Sequence, residues 1–303
     1  MKSVFIGTVK SSYIALETLL ENGVDVDGVF TIFENNFNSD HIDLRPLCKK
    51  YKIPVYGIKN INDSENIKIL EKINPDYIFI IGISQLIKKE ILEIPKWGCI
   101  GFHPTLLPAN RGRAVIPWTI LQANHNTGIT LFKIDEGMDS GDIIAQRKIK
   151  LDSRENSTSF YKKILINLKK LIEETSGSFL KGKITTKKQN DEEATYCAIR
   201  RKEDGLIDWG SSAEEIDGLI RATSKPYPGA YTYHKGEELI IWESELVEKD
   251  NWAAFSGQRV EIIPSTGVKV KTGKGLLLIK KIQYQGQEHF ADEFFKVLGK
   301  RFE

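Results

Sequence analysis

Residues 77–83, Tyr-Ile-Phe-Ile-Ile-Gly-Ile, form an unbroken β-branched and aromatic run. A strand without alternating polar and apolar side chains is buried on both faces, as in a parallel sheet covered by helices. The neighbouring pattern agrees. Residues 3–7, 26–31 and 54–58 read as further short apolar strands, and 13–21, 44–51 and 64–73 carry helical spacing between them. This alternation predicts an α/β fold with a mostly parallel Rossmann-like sheet, helices on both faces and ligands at the carboxyl ends of the strands. The first turn reads Gly7-Thr8-Val9-Lys10-Ser11-Ser12, which lacks the Gly-x-Gly-x-x-Gly spacing of a dinucleotide site.

Past a lysine-rich amphipathic helix at 159–174, the charged stretch 181–194 reads as a linker. Beyond it the period shortens. Residues 231–233, 239–243, 260–263, 268–270, 276–279 and 282–284 are short strands separated by Gly or charged turns. Such spacing predicts a smaller β-rich domain, a small OB-like barrel or an open sheet. With 303 residues the chain is long enough for two domains, expected at 1–204 and 205–303.

Net charge of +2 offers no electrostatic case for nucleic acid or an anionic membrane. Cys48, Cys99 and Cys197 are odd in number and widely spaced, which fits neither a disulfide framework nor a zinc site. They favour a reducing compartment, so a cytoplasmic location is expected, with no metal. The start MKSVFIGT reads as a strand, its apolar part too short for a signal peptide. No apolar run approaches the roughly 20 residues of a membrane span.

The chemistry concentrates in two stretches. Residues 97–118 place His103 just past an apolar segment, in a loop punctuated by Pro104, Pro108, Gly112 and Pro117. Residues 127–142 then deliver Asp135, Glu136, Asp139 and Asp142. An imidazole at a strand end with a carboxylate from a nearby turn is a common general acid/base pair. By spacing alone, a core histidine beside an ordinary acidic turn fits equally well.

The motifs go further. His103-Pro104-Thr105-Leu106-Leu107-Pro108, then Arg111-Gly112, then Asp139-Ser140-Gly141-Asp142 resemble the signature of the formyltransferases that use 10-formyltetrahydrofolate. That family carries Asn-x-His-x-Ser-Leu-Leu-Pro, Arg-Gly and Asp-x-Gly-Asp, and the likeness extends over nearly the whole chain. The resemblance implies His103 and Asp139 as the catalytic pair. It implies a folate site at Ser84, Gln85, Leu86 and Ile87, with Ile134, Asp135, Glu136 and Gly137 across the same pocket. Acceptor contacts are expected from Lys10, Ser11, Asn110, Arg111, Gly112 and Arg113, where the two guanidinium groups could pair with a nucleotide diphosphate or with the folate glutamyl tail. The junction segment 200–209, with Arg221, Ala222 and 226–230, also resembles the family, although an inter-domain linker would explain most of it. One departure is plain: Gly101 stands where the family has Asn. The donor for a developing oxyanion must then come from His103, a backbone N–H, a water or another amide such as Asn110.

Within that family the acceptors are methionyl-tRNA, glycinamide ribonucleotide and nucleotide-linked amino sugars. Residues 33–40, where the tRNA enzymes carry a basic insertion, are short, Asn-rich and slightly acidic. A phosphate backbone would be repelled there. The β-rich tail argues against the small ribonucleotide enzymes. A nucleotide-linked amino sugar is therefore the expected partner, with no nucleic acid and no membrane. Methionyl-tRNA formyltransferase and 10-formyltetrahydrofolate hydrolase are the alternatives. The tail could also bury an exposed edge by forming a homodimer.

Overall fold

Burial of every side chain on β1 (Ser3–Ile6) leaves it no solvent face. In the computed structural model, described for residues 1–34 and 40–302, it lies inside a seven-stranded sheet. The elements α1 (Lys10–Glu21), β2 (Gly28–Thr31), α2 (Arg45–Tyr51), β3 (Val55–Gly57), α3 (Ser64–Ile73), β4 (Tyr77–Ile80), α4 (Lys89–Leu92) and β5 (Cys99–His103) follow in alternation. Next come β6 (Arg111–Gly112), α5 (Val115–Leu121), β7 (Asn126–Lys133), β8 (Ile143–Lys150), α6 (Ser157–Leu180) and β9 (Tyr196–Cys197). The sheet order is β3-β2-β1-β4-β5-β7-β8, parallel as far as β5 and antiparallel for the last two strands. The expected mostly parallel sheet is present. Its core holds Val4, Ile6, Phe30, Ile78 and Ile80 with Ile87, Ile91 and Cys99.

Strand order reverses between β1 and β4, which opens a crevice at their carboxyl ends. Ser12 ties that crevice together. Its hydroxyl donates to the Ile81 carbonyl at 2.6 Å and accepts from the Thr8 and Val9 amides at 2.9 and 3.0 Å. Gly82, at φ +75°, faces it so closely that a Cβ there would sit 2.5 Å from the Ser12 oxygen. Only glycine fits that approach.

The chain divides into two compact units. One comprises Met1–Val115, Asn126–Lys150 and Tyr161–Ala198, and the other Ile116–His125, Leu151–Phe160 and Ile199–Glu303. The second contains α7 (Ala213–Ala222), β10 (Ala230–His234), β11 (Glu237–Val247), β12 (Arg259–Ile263), β13 (Gly267–Lys271), β14 (Leu276–Tyr284), β15 (Gln287–Phe290) and α8 (Ala291–Phe294). Its strands form one antiparallel sheet, β10-β11-β14-β13-β12, with β15 added beside β14. This is the expected β-rich carboxyl-terminal domain. Ile207, Trp209, Ile216, Leu239, Ile241 and Ile279 are part of its core, with Trp209 stacked on Phe302 at 5.0 Å.

Two local expectations are corrected. Residues 276–279 and 282–284 belong to a single strand, β14. The charged pair that suggested a turn is accommodated because Lys280 pairs with Glu245 and Lys281 with Glu288, while irregular register on β11 absorbs the change of face. The stretch 181–194 is also more than a linker. Lys187 forms a β-bridge with Ile143, and Gln189 is buried.

Candidate active site

His103 ends β5, with Thr130 of β7 as its antiparallel partner, and is 5% exposed. Its Nε2 lies 2.8 Å from the Asn110 carbonyl. A carbonyl can only accept, so Nε2 carries the hydrogen and the neutral ring keeps its lone pair on Nδ1. Nδ1 faces the Asp139 carboxylate, with Oδ2 at 3.6 Å. That is too long for a hydrogen bond, and the ring can pair with the carboxylate only once Nδ1 gains a proton. The backbone at Asp139 is left-handed, φ +51°, and Oδ2 accepts from the Gly112 amide at 2.8 Å. The sheet end and the turn therefore deliver the imidazole and the carboxylate to one place.

The loop between them is held by hydroxyls and an amide. Thr130 donates to the Thr105 carbonyl at 2.7 Å and accepts from the Leu107 amide at 3.1 Å. Gln146 on β8 donates to the Leu107 carbonyl at 2.8 Å and to Thr130 at 3.0 Å. Thr105 in turn donates to the Ala109 carbonyl at 2.7 Å. These bonds stop the loop that carries Asn110 from drifting off the imidazole.

Gly101 lies two residues before His103, opposite Phe132 on β7. A Cβ there would meet the Phe132 ring and Ile134 Cγ1, each at 2.8 Å. The space that a side chain would take is thus filled by an aromatic and an aliphatic group. Asn110, the other amide considered, is 6% exposed, and its Oδ1 accepts from the Thr195 hydroxyl at 3.2 Å.

Arg111 is 2% exposed, and its guanidinium is held within the protein. It donates to Gln189 Oε1 from Nε at 3.1 Å and from Nη2 at 2.9 Å, to Asp191 at 2.8 Å and to the Tyr196 hydroxyl at 3.2 Å. Burial works against its charge, but the bonds to Asp191 and Tyr196 more than reverse that, so its pKa is raised. These bonds turn the guanidinium toward Gln189, Asp191 and Tyr196. Arg113 and Lys10 are exposed, Ser11 is buried, and Gly112 gives its amide to Asp139. Gln189, Asp191, Thr195 and Tyr196 were not singled out from sequence. They sit in a polar stretch with no periodicity, and nothing in their spacing marks them.

The two stretches expected to hold folate come together. Ile83, Ile87 and Ile134 share one apolar cluster, and Lys89 pairs with Glu136 at 3.3 Å. Ser84 and Leu86 are exposed, Leu86 by 74%. The Gln85 side chain is turned to the neighbouring loop, accepting from the Ile61 amide at 2.8 Å and donating to the Lys59 carbonyl at 2.7 Å. Asp135 closes its own turn, accepting from Gly137 at 3.0 Å and Ser140 at 2.8 Å. Most of the 33–40 loop read from sequence lies outside the described residues. Among the described residues no helix is long and apolar enough to cross a membrane, and no group of acidic, His or Cys side chains could hold a metal ion.

Residues 1–175 match the model of the formyl transferase family, and residues 200–298 match that of the formyl transferase carboxyl-terminal domain. Methionyl-tRNA formyltransferase of Alkaliphilus oremlandii (strain OhILAs) is 32% identical over 295 residues, covering 96% of this chain and 94% of that protein. An N-formyltransferase from Helicobacter canadensis, solved with folinic acid and dTDP-3-aminofucose, superposes with a TM-score of 0.68 at 19% identity, over 95% of this chain and 100% of that one. HypX from Aquifex aeolicus, solved with tetrahydrofolic acid, gives a TM-score of 0.67 at 17% identity over 97% of this chain. This chain spans 46% of that longer one. The family models and the sequence relatives agree, and this chain belongs to the formyl transferase family.

Proposed function

We propose that the enzyme transfers the formyl group of 10-formyltetrahydrofolate to the primary amine of a nucleotide-linked amino sugar, in the cytoplasm and without a metal. The observation that carries the reaction is His103 Nδ1, left without a hydrogen by the bond from Nε2 to Asn110 and 3.6 Å from Asp139 Oδ2. The amine nitrogen attacks the formyl carbon, and the carbonyl electrons move to oxygen. Nδ1 takes the proton that the nitrogen must shed, and Asp139 stabilises the imidazolium across 3.6 Å. As the carbonyl re-forms, the bond to folate N10 breaks and the proton passes from His103 to that leaving nitrogen. The products are an N-formyl sugar and tetrahydrofolate. Gly101 supplies no side-chain donor, so the developing oxyanion is met by His103, a backbone N–H, a water or another amide such as that of Asn110.

The apolar wall of Ile83, Ile87 and Ile134 suits the flat face of a pterin, and the exposed turns at 84–86 and 135–137 offer main-chain groups to its edge. Lys10 and Arg113 are the exposed cations we assign to the acceptor's phosphates. For the acceptor, the near-neutral charge of +2 and the short acidic 33–40 stretch favour a small anionic molecule over a polyanion. A second reading, methionyl-tRNA, rests on the 32% identity to the Alkaliphilus enzyme over nearly the whole chain.

The test incubates the protein with 10-formyltetrahydrofolate and, separately, nucleotide-linked 3- and 4-amino-dideoxy sugars or methionyl-tRNA. A gain of one formyl mass on a sugar is expected. Formylation of methionyl-tRNA alone would replace the sugar reading, and folate turnover without any amine would replace transfer by hydrolysis. His103→Ala and Asp139→Asn should each lower kcat by roughly 10²–10⁴ without loss of fold. Near wild-type turnover in either variant would remove that residue from the mechanism.

A further inference from the structure

Gln189 touches none of the reacting atoms described above, yet every polar position of its amide is in use. Nε2 donates to the Asp139 carbonyl at 2.8 Å and to the Gly141 carbonyl at 2.6 Å. Oε1 accepts both bonds from Arg111. Two donors and two lone pairs are all that a carboxamide has. The residue is 5% exposed, so these bonds are shielded from competing water.

The partners explain why this matters. Asp139 stands in the left-handed region, which side chains other than glycine disfavour, so its neighbours must hold it there. The outer part of the same turn is open to solvent, with Met138 59% exposed. On the inner side, Gln189 grips the backbone on either side of Ser140. Its other end grips Arg111, between Asn110, whose carbonyl takes His103 Nε2–H, and Gly112, whose amide holds Asp139 Oδ2. One amide therefore spans the two backbone segments that orient the imidazole and the carboxylate.

We infer that Gln189 is a positioning residue, which with Arg111 as partner sets the distance and angle between His103 and Asp139. This rests on the reading that the pair performs formyl transfer. Displacement of a reacting group by about 1 Å can cost on the order of 100-fold in rate. The effect should fall on turnover, because the bonds of the Gln189 amide go to Arg111, Asp139 and Gly141 and to none of the residues assigned to folate.

Gln189→Glu is the discriminating variant. It keeps an acceptor for Arg111 and nearly the same volume, but sets an anion against the carbonyls of Asp139 and Gly141. Gln189→Leu removes all four bonds. In both, kcat should fall about 100-fold, with KM for 10-formyltetrahydrofolate within about twofold of wild type. The second readout needs no substrate: ¹⁵N spectra of the histidine rings, with the His103 signals assigned by their loss in His103→Ala. The Nδ1 signal of His103 should move in Gln189→Glu while the other histidines stay unchanged. Wild-type kcat in both variants, or an unmoved Nδ1 signal, overturns the inference, as does failure of both proteins to fold. Should the wild type transfer formyl to no amine, the proposed function falls, and the ring spectra alone decide the positioning role.

Discussion

Position 101 controls how much room exists on β5 two residues before the His103 imidazole. With no Cβ on the glycine, the Phe132 ring and Ile134 close onto the strand, and any larger residue must push them back from 2.8 Å contacts. Neither can move freely, since Phe132 is 4% exposed and Ile134 packs into the apolar cluster that includes Ile87. Gly101→Asn should therefore lose roughly 1–3 kcal/mol of stability by overpacking. Urea unfolding checks this, and a second change, Phe132→Leu, should recover part of the loss. An unchanged midpoint for the single variant would mean that the wall is soft. Residues differed in how openly the sequence showed them. His103 and Asp139 sit in motifs whose order and spacing are specific. Gln189 sits in a charged run where one amide looks like any other, and its partners are 50 and 78 positions away in the chain.

At the scale of elements, the α/β alternation was readable because buried parallel strands must be apolar on both faces, and helices between them must not. The same rule explains the misreading of β14. Lys280 and Lys281 interrupt its apolar run, and only their partners Glu245 and Glu288 make them acceptable inside a strand. The start of α1 shows how an element is fastened to the sheet. Its Ser12 hydroxyl joins the Thr8 and Val9 amides to the Ile81 carbonyl, all buried. Ser12→Ala would leave these groups unsatisfied, at a cost of roughly 1–3 kcal/mol. Thermal unfolding with and without the folate substrate would measure it. The same midpoint as wild type would show that water substitutes for the hydroxyl.

For the whole molecule, charge decides more than shape. A chain of net +2 has little to hold a polyanion, and a nucleotide sugar presents only a few negative charges. Raising salt from 50 to 200 mM should thus change kcat/KM for the proposed sugar acceptor by a few-fold, whereas an acceptor held through 6–10 phosphates would lose roughly 10³–10⁵. A steep loss with the best acceptor would point back to tRNA. Cys48, Cys99 and Cys197 are all free and buried, and burial pushes the first two up to about 11 and about 12. What the amino-acid order determined alone was the class of sheet, the β-rich tail and the family motifs, since periodicity and spacing are local properties of the chain. The inward wall at Gly101, the burial of Arg111 and the grip of Gln189 on the Asp139 turn were decided only in three dimensions. Each depends on groups far apart in the chain meeting within hydrogen-bond or van der Waals reach, and no local pattern encodes that distance.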